Sequence, residues 1–464
     1  LAGAGGVFAM HTRRAAGAAD RLRVDGAATG AHRILITDTG DPAALTGLEP
    51  PLLLVQTAAG DATFTGTLSA GLYDYTVQNG AQLAIAARAA AAAPAPAAAP
   101  AVPAAPAAIA GLPATNWYLH RAGLSATASA IINTTAMLGR DWHYSLDTLH
   151  QRLGDVRAES LHGTYGSYGT YGALGDYGAH KSHESHNSHA SHPPAATGNI
   201  WTRARAYRLN AGAALAGRAF DEYACGLTAG GDRAFRLDGA ATLLAGAFID
   251  MGRIDRDFAG AGDTGRTGTL SAGLYGTWLH DAGWHADLVL KADRYKHRFD
   301  TLTTGARPVH GAYSSDAQGV SLELGRRLER SAGWWIEPAA QAAVAWLRGA
   351  TYRTAPGNQT LDVAIDTAES WQYRLLARFG RRPENSRWLP YGKFGVVRTC
   401  TAGGAIHAGG ETFATAPDGW REELGVGAGY LVNERAQLYL DYEYGRAAHY
   451  ERPWSLNLGY RRLW

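Results

Sequence analysis

The sequence has few cysteines and few charges, and it lacks long uninterrupted hydrophobic runs. Its two cysteines are Cys225 and Cys400, and charged residues make up 18% of the 464 residues. Two cysteines form neither a disulfide framework nor a zinc-ligand spacing, and we expect them to remain unpaired. The sequence contains no uninterrupted run of about 18 apolar residues, so it predicts no transmembrane helix. The formal net charge of +2 gives no reason to expect a nucleic-acid partner.

The chain also lacks a secretory leader at its start, because no charged segment followed by an apolar one opens it. If the protein is exported, residue 1 is therefore not expected to be the start of the precursor. In contrast, glycine is abundant at 58 residues, and tryptophan and tyrosine contribute 13 and 22. This composition is typical of a β protein whose outer face meets lipid.

The last segment, residues 453–464, alternates between apolar and polar residues, with Arg462 at a position where an apolar residue is usual. This pattern predicts a strand with one apolar face. An edge strand of a soluble sandwich is the alternative from this segment alone. A terminal strand ending on an aromatic residue favours a closed barrel in which the last strand pairs with the first. The apolar parity carries Trp454, Leu456, Leu458, Tyr460 and Trp464.

Residues 198–464 repeat this alternation in a serial hairpin pattern, and we predict twelve strands. Short links such as residues 280–283 and 433–435 alternate with long polar links such as 300–316 and 400–419. Short turns on one rim and long loops on the other are typical of a membrane β-barrel. The predicted strands are 200–208, 222–228, 241–257, 267–280, 284–299, 317–328, 335–348, 371–381, 388–399, 420–432, 436–444 and 454–464.

Parity alone leaves two architectures open, because a soluble sandwich and a barrel in lipid place the same residues on opposite faces. Strand lengths near ten residues, the unequal rims and aromatic residues near strand ends favour the membrane. In a barrel the charged parity lines the lumen, where we expect salt bridges to be commoner than catalytic roles. The lumenal acids would be Asp287, Glu323, Glu337, Glu423, Asp441 and Glu443, with Lys291, Arg374, Arg378, Lys393, Arg152 and Arg157 as expected partners.

The part before the barrel divides into four segments. Residues 1–88 predict short strands and turns, including alternation at 72–77 and 81–86. Residues 89–121 are rich in Ala and Pro and predict an extended linker. Residues 122–157 predict a helix, because Leu146, Leu149, Leu153 and Val156 recur at helical spacing. Residues 158–197 form an insertion rich in Tyr and Gly, and then in His.

Five histidines of the insertion recur at every third residue. Imidazoles on a flexible tract can bind a divalent transition metal. The spacing is not that of a preformed site, and a solvated insertion is the alternative. Apart from this tract we expect no cofactor. The five residues are His180, His183, His186, His189 and His192.

The segment Leu149-His-Gln-Arg-Leu-Gly-Asp-Val-Arg157, the twelve strands and the ending Gly459-Tyr-Arg-Arg-Leu-Trp464 together resemble the translocator of a type V autotransporter, with the pertactin-like group the closest match. Segments 19–24, 32–36 and 52–57 resemble the end of that group's passenger β-helix. The resemblance implies an all-β fold: a 12-stranded antiparallel transmembrane barrel with a helix in its lumen, preceded by a passenger stub. It also implies outer-membrane insertion and a passenger, such as an adhesin or another virulence factor, displayed on the cell surface.

The resemblance further implies partners and a cleavage position. Expected partners are outer-membrane lipid, periplasmic chaperones and the barrel-assembly machinery, for a chain expected to be monomeric. The passenger's ligand is not indicated. Some relatives cut the chain after an Asn that corresponds to Asp147 here, so the implied scissile bond joins Asp147 and Thr148. Glu323, Glu337, Glu423 and Asp441 are the candidates for assisting that step.

Three other functions remain open at this stage. An outer-membrane enzyme, such as a protease or lipase, would need a nucleophile motif such as Gly-x-Ser-x-Gly, which the sequence lacks. A plain porin would need an open lumen, and the predicted helix argues against it. A soluble binding protein would fold without detergent. Apart from single-turnover self-cleavage, we expect the chain not to be an enzyme.

Overall fold

The computed structural model describes residues 1–41, 45, 48–92, 112–147, 198–213, 218–237, 240–259, 262–355, 360–382, 386–414, 418–433 and 435–464. No helix within these ranges has both the length and the hydropathy needed to cross a membrane. Cys225 and Cys400 are both free thiols, as expected.

The N-terminal region consists of parallel rungs closed by an antiparallel sheet. Strand β1 pairs in parallel with β4, β4 with β6, and β3 with β5, which is the pairing of a β-helix. Strands β5, β9, β8 and β7 then pair antiparallel in that order. The strands are β1 (Val7–Arg13), β2 (Ala18–Ala19), β3 (Leu22–Ala27), β4 (Ala31–Asp38), β5 (Leu52–Ala59), β6 (Thr63–Thr65), β7 (Thr67–Ala70), β8 (Tyr73–Asn79) and β9 (Asn116–Leu124).

Two local predictions in this region are wrong. Residues 81–86 were predicted as a strand but lie in helix α1 (Gly80–Ala92). The backbone N–H of Gln82 donates to Asn79 Oδ1 at 2.8 Å, and that of Asn79 donates to Gln82 Oε1 at 3.0 Å. This reciprocal cap starts a helix in spite of the local alternation. Residues 116–121 were assigned to the linker but form most of β9, whose Trp117 and Leu119 are buried.

The predicted lumenal helix begins at Ala126 and is described as far as residue 147. Helix α2 (Ala126–Ala136) ends at a turn at Met137, and helix α3 continues over residues 138–147. Ser125 caps α2, because its side chain accepts a hydrogen bond of 3.1 Å from the backbone N–H of Ala128. Both helices are buried on nearly all sides, as expected for helices surrounded by a barrel wall. The predicted continuation to Arg157 lies outside the described residues.

Twelve antiparallel strands form a closed barrel, as predicted. The prediction of a long link over 300–316 is wrong, because β14 continues to Leu302 and β15 begins at Pro308, and both strands are longer than the predicted ten or so residues. Closure is made by the last strand on the first, with Ile200 opposite Arg462, and by β15 on β17. These strands are β10 (Gly198–Ala211), β11 (Phe220–Leu237), β12 (Ala241–Phe258), β13 (Thr264–His280), β14 (Trp284–Leu302), β15 (Pro308–Arg326), β17 (Trp334–Leu347), β20 (Ala368–Arg381), β21 (Trp388–Gly403), β24 (Gly419–Asn433), β25 (Ala436–Ala447) and β26 (Tyr450–Leu463).

Shorter elements belong to the links between barrel strands. Strand β16 (Leu328–Glu329) and a 3-10 turn (Ser331–Gly333) lie in one link of the short-turn rim. On the other rim, β18 (Ala350–Arg353), β19 (Asp362–Ile365), β22 (Ile406–Ala408) and β23 (Glu411–Phe413) form a four-stranded sheet, which we call the loop sheet.

The faces of the barrel strands settle the question that parity left open. In β14 the apolar residues Trp284, Leu288 and Leu290 face outward and are exposed, whereas Asp287 and Lys291 face inward and are buried. A soluble sandwich would bury the first set and expose the second. The arrangement is therefore that of a barrel in lipid.

The N-terminal region lies on the long-loop rim of the barrel and shares a hydrophobic core with it. Leu72 and Tyr73 of the N-terminal region belong to the same buried cluster as Ile131 of α2 and Leu361 and Phe413 of the loop region. Arg218, in the link before β11, forms an ion pair of 3.0 Å with Asp74. The rim, the lumenal helix and the last rungs are therefore packed as one unit.

Candidate functional site

The lumen of the barrel is the candidate functional site, because helix α3 brings its charged residues into contact with charges on the wall. Arg140 and Asp141 of α3 lie beside Glu222 of β11 and Arg256 of β12. Arg256 donates from Nη2 to Asp141 Oδ2 and from Nε to Glu222 Oε2, both at 2.8 Å. Arg140 also pairs with Glu222. The four residues form a buried cluster with two charges of each sign.

The last described residue of α3, Asp147, enters a second charged cluster. Its Oδ1 accepts a hydrogen bond of 2.8 Å from Gln372 Nε2, and its Oδ2 accepts one of 3.3 Å from Arg421 Nη2. Arg374 Nη1 lies 3.8 Å from Oδ1. Asp147 is only 3% exposed. Both carboxylate oxygens are therefore held by side chains of the barrel wall.

Glu423 joins this second cluster through the same arginines. It lies 2.8 Å from Arg374 and 2.7 Å from Arg421. The cluster continues through Arg452 and Glu443 to Lys393, which lies 2.6 Å from Asp441. The cluster therefore contains four cations and four carboxylates. Its net charge is zero, which reduces the free-energy cost of burying these charges in the lumen. The members are Arg374, Lys393, Arg421 and Arg452 with Asp147, Glu423, Asp441 and Glu443.

The other two predicted helper acids lie in a different group. Arg378 donates to Glu337 at 2.9 Å and lies 3.9 Å from Glu323. Of the four candidates, Glu423 therefore shares two arginines with Asp147, Asp441 lies at the far end of the same cluster, and Glu323 and Glu337 belong elsewhere. The expected partners Arg374, Arg378 and Lys393 all form ion pairs with lumenal acids, and Lys291 pairs with Asp293 at 2.9 Å.

One group in the described lumen brings together three side chains that could hold a metal ion. His285, Asp287 and Glu323 are buried, and their potential ligand atoms lie within 4.8 Å of one another. Imidazole and carboxylate ligands suit a divalent transition metal. The sequence placed His285 on the inward parity without indicating a ligand role, because the three residues are joined only by strand register. The five histidines of the predicted metal-binding tract lie outside the described residues, as does Thr148.

Sequence reasoning missed the aromatic residues that seat α3. Trp142 is fully buried, and the Lys291 ammonium lies 5.1 Å from its ring centroid. Tyr144 is bonded to Ser455 of β26 through their hydroxyl groups at 2.6 Å. The sequence did carry a signal for this contact, a Trp and a Tyr inside a short helical segment. The helical spacing of the leucines, however, points to residues 149–156.

Comparison with known proteins assigns the family. The Autotransporter beta-domain family model matches residues 200–443, and the Pertactin family model matches residues 1–84. The pertactin autotransporter of Bordetella bronchiseptica is 31% identical over 486 aligned residues, which cover 100% of this chain and 48% of the relative. The BrkA autotransporter of Bordetella pertussis is 28% identical and covers 98% of this chain and 39% of the relative.

A solved structure supports the fold. The translocator domain of the autotransporter NalP from Neisseria meningitidis superposes with a TM-score of 0.51 at 11% sequence identity, over 71% of this chain and 99% of that one. The present chain spans about half the length of the pertactin autotransporter it matches, or less in the case of BrkA. The chain belongs to the autotransporter family, as a closed twelve-stranded translocator barrel of the Gram-negative outer membrane that carries the end of a surface-exposed passenger.

Proposed function

We propose that this chain exports its own passenger through the outer membrane and then holds that passenger at the cell surface. One observation carries the proposal. A helix inside a closed barrel leads from the lumen to the long-loop rim, where the last β-helix rungs are seated. A porin needs a clear lumen, whereas here α2 and α3 occupy it and pair with its wall.

The experiment is display of an epitope. A short peptide epitope is placed before Leu1, and the chain is expressed with a signal peptide in a Gram-negative host. We expect antibody to bind intact cells. A matched chain that lacks residues 112–147 should fold its barrel but display no epitope. Binding that appears only after the outer membrane is permeabilised would contradict export.

Attachment of the passenger is the second part of the proposal. An attack by the Asp147 side chain on its own carbonyl carbon would break the bond to Thr148 and release the Thr148 amine. For this the carboxylate must leave Gln372 or Arg421, which together engage both of its oxygens. An ionised carboxylate would form an anhydride, and Glu423 is held between arginines rather than placed as a proton donor. We therefore propose that the wild-type passenger stays attached, with single-turnover cleavage at this bond as the competing outcome.

The partners follow from location and family. We propose that lipid surrounds the outward apolar residues and that the barrel-assembly machinery receives β26, after periplasmic chaperones have carried the unfolded barrel. We propose that the protein acts as a monomer and that the passenger serves adhesion or another virulence role, in keeping with the pertactin match. Cross-linking of the chain to assembly components tests whether the barrel-assembly machinery receives β26, and it should decrease when Trp454 and Tyr460 are both changed to Ser.

A further inference from the structure

A patch of basic residues covers the outer surface of the barrel just above its lipid-facing band. On β14 the outward-facing apolar residues Leu288, Leu290 and Ala292 are followed directly by outward-facing Arg294, Lys296 and Arg298. All six are exposed. The change from apolar to basic occurs within one step of the side-chain alternation, so the cations lie where hydrocarbon meets headgroups.

The neighbouring strand extends the patch. Arg266 of β13 is directly opposite Arg298 of β14 and is also exposed on the outer face. Directly opposed like charges on adjacent strands repel each other, because their Cβ atoms lie only about 5 Å apart. Arg266 is paired with Asp255 of β12 at 2.9 Å. Among the residues that the structure describes, Arg294, Lys296 and Arg298 form no ion pair, although Asp316 of β15 is directly opposite Arg294 in the strand register.

The position of the patch along the barrel identifies the leaflet. Residues 294–298 lie toward the end of β14 that leads to the link at 303–307, and Thr304 of that link is bonded to Ser69 of the N-terminal region through hydroxyl oxygens 3.0 Å apart. The passenger side of the barrel faces outward from the cell, so the patch lies at the level of the outer leaflet. The inner leaflet is adjacent to the opposite rim, where Trp284 lies.

We propose that Arg266, Arg294, Lys296 and Arg298 form a binding site for the phosphate groups of a phosphorylated glycolipid in the outer leaflet. Guanidinium groups bind phosphate oxygens in a bidentate manner, and an ammonium adds a point charge. The strand rise separates Arg294 from Arg298 by about 13 Å, a span over which more than one phosphate can be engaged. Acyl chains of the same lipid would lie against Leu288, Leu290 and Leu274 below the cations. The site rests on the outer-membrane location of the barrel and not on the fate of the passenger.

Native mass spectrometry of the full chain, refolded in detergent, tests the site. The probe is lipid A carrying two phosphates, compared with its dephosphorylated form and with inorganic pyrophosphate. Each cation near an anionic headgroup contributes roughly fivefold to binding. The triple variant Arg294→Gln, Lys296→Gln, Arg298→Gln should therefore lose at least about tenfold of the bound lipid. The matched control removes three exposed cations of the opposite rim, as Arg326→Gln, Arg330→Gln, Arg381→Gln, and should bind as wild type.

Each other result overturns the proposal in an identifiable way. Equal loss in both triple variants would show non-specific charge attraction. Equal binding of dephosphorylated lipid would show that acyl chains alone are recognised, and competition by pyrophosphate at the lipid's own concentration would indicate a site for free phosphate. If the triple variant fails to fold, the conservative variant Arg294→Lys, Arg298→Lys must keep binding within about threefold while Lys296→Gln loses about fivefold.

Discussion

Arg256 of the barrel wall donates a hydrogen bond of 2.8 Å to Asp141 of the lumenal helix. The same guanidinium donates to Glu222, which is also paired with Arg140 of the helix. The helix is therefore attached to β11 and β12 by charges that water cannot reach. Two such clusters, one around Asp141 and one around Asp147, hold α3 at successive heights in the lumen.

Removal of one residue from the cluster around Asp141 should strongly weaken the attachment of α3 to the barrel wall. In Arg256→Ala, two carboxylates lose a buried partner, and we expect a loss of about 3–5 kcal/mol in stability. Heat modifiability on gels gives the measurement, as the temperature at which the folded band disappears. Arg253→Ala lies on the same strand but faces outward, and it should shift that temperature little. Equal shifts of this temperature in the two variants would contradict the conclusion that Arg256 holds the helix to the barrel wall.

The same contacts predict the electrical behaviour of the barrel. The intact chain should show low conductance in planar bilayers, because α2 and α3 occupy the lumen. Deletion of residues 126–147 should raise the conductance severalfold, with folding verified by heat modifiability. Asp141→Asn should increase the frequency of brief openings, since it removes one charge from a four-residue cluster. A wild-type conductance equal to that of the deletion variant would favour a porin.

The fate of the Asp147–Thr148 bond can be read by intact mass. The wild-type refolded chain should remain whole, because both carboxylate oxygens are engaged by Gln372 and Arg421. Asp147→Asn replaces one carboxylate oxygen with an amide nitrogen. Attack of this nitrogen on the carbonyl carbon of residue 147 would close an imide ring, break the peptide bond to Thr148 and release the Thr148 amine, so we expect this variant to split between residues 147 and 148. Asp147→Ala should remain whole. A split wild type would show that the passenger is released, and an intact Asn variant would show that the site lacks cleavage geometry.

The N-terminal region should lose stability in mild acid. Burial lowers the pKa of His120 from its ordinary value, with a small further decrease from the Arg14 charge, although a backbone hydrogen bond opposes this. A histidine whose folded pKa is lowered binds more protons when unfolded. Its neutral form therefore stabilises the fold above about pH 6.5, and this contribution is lost as pH falls from there through the lower folded value.

Urea unfolding of the N-terminal region, followed by protease sensitivity at pH 7.5 and 5.0, measures this effect. The midpoint of wild type should fall more on acidification than that of His120→Gln. An exposed residue without an ionisable side chain, Val7, provides the matched control, and Val7→Ala should keep the wild-type pH dependence. Burial acts in the opposite direction on Asp74, whose pKa is raised, so Asp74→Asn should make the acid loss larger. Identical pH dependence in wild type and His120→Gln would contradict the assignment.

The packing of the N-terminal region against the loop sheet leads to a further prediction. Phe413 is 1% exposed within the core shared by the loop sheet and the N-terminal rungs. Phe413→Ala should cost about 3–5 kcal/mol, the usual cost of emptying such a site. The loss should appear as faster proteolysis of residues 1–124, while the heat modifiability of the barrel stays unchanged. Equal destabilisation of the barrel would show that the loop sheet belongs to the barrel fold instead.

The strand number and the lipid-facing parity were predictable from sequence because one face of each strand must be apolar. In β14 this requirement places Trp284, Leu288 and Leu290 on one face of the strand and Asp287 and Lys291 on the other. The choice between core and lipid for the apolar face was not predictable from parity, since both environments exclude water. It required the closure of β26 on β10, a contact between residues more than 200 positions apart.

For the lumen, the sequence predicted a group of acidic residues and a group of basic residues, but not which residues pair with each other. Arg374 and Glu423 were both expected to face inward, but their contact depends on register across three strands. The start of α1 was missed because the reciprocal cap of Asn79 and Gln82 outweighed an alternating pattern. Strand β9 was missed because it directly follows the Ala- and Pro-rich tract, and its sequence does not show that Trp117 packs into the core of the passenger segment.

Limited proteolysis on intact cells tests the central claim most directly. Protease added outside the cell should remove residues 1–115 and leave residues 198–464 as one protected, heat-modifiable fragment, because among the described residues the N-terminal region and the long-loop rim are the parts that face outward. Residues 158–197 lie outside the described residues, but they precede the start of β10 at Gly198 on the short-turn rim, so we predict that they are cut only after permeabilisation. Cleavage of residues 158–197 on intact cells, or survival of residues 1–115 until the membrane is opened, would contradict an exported passenger on an outer-membrane barrel.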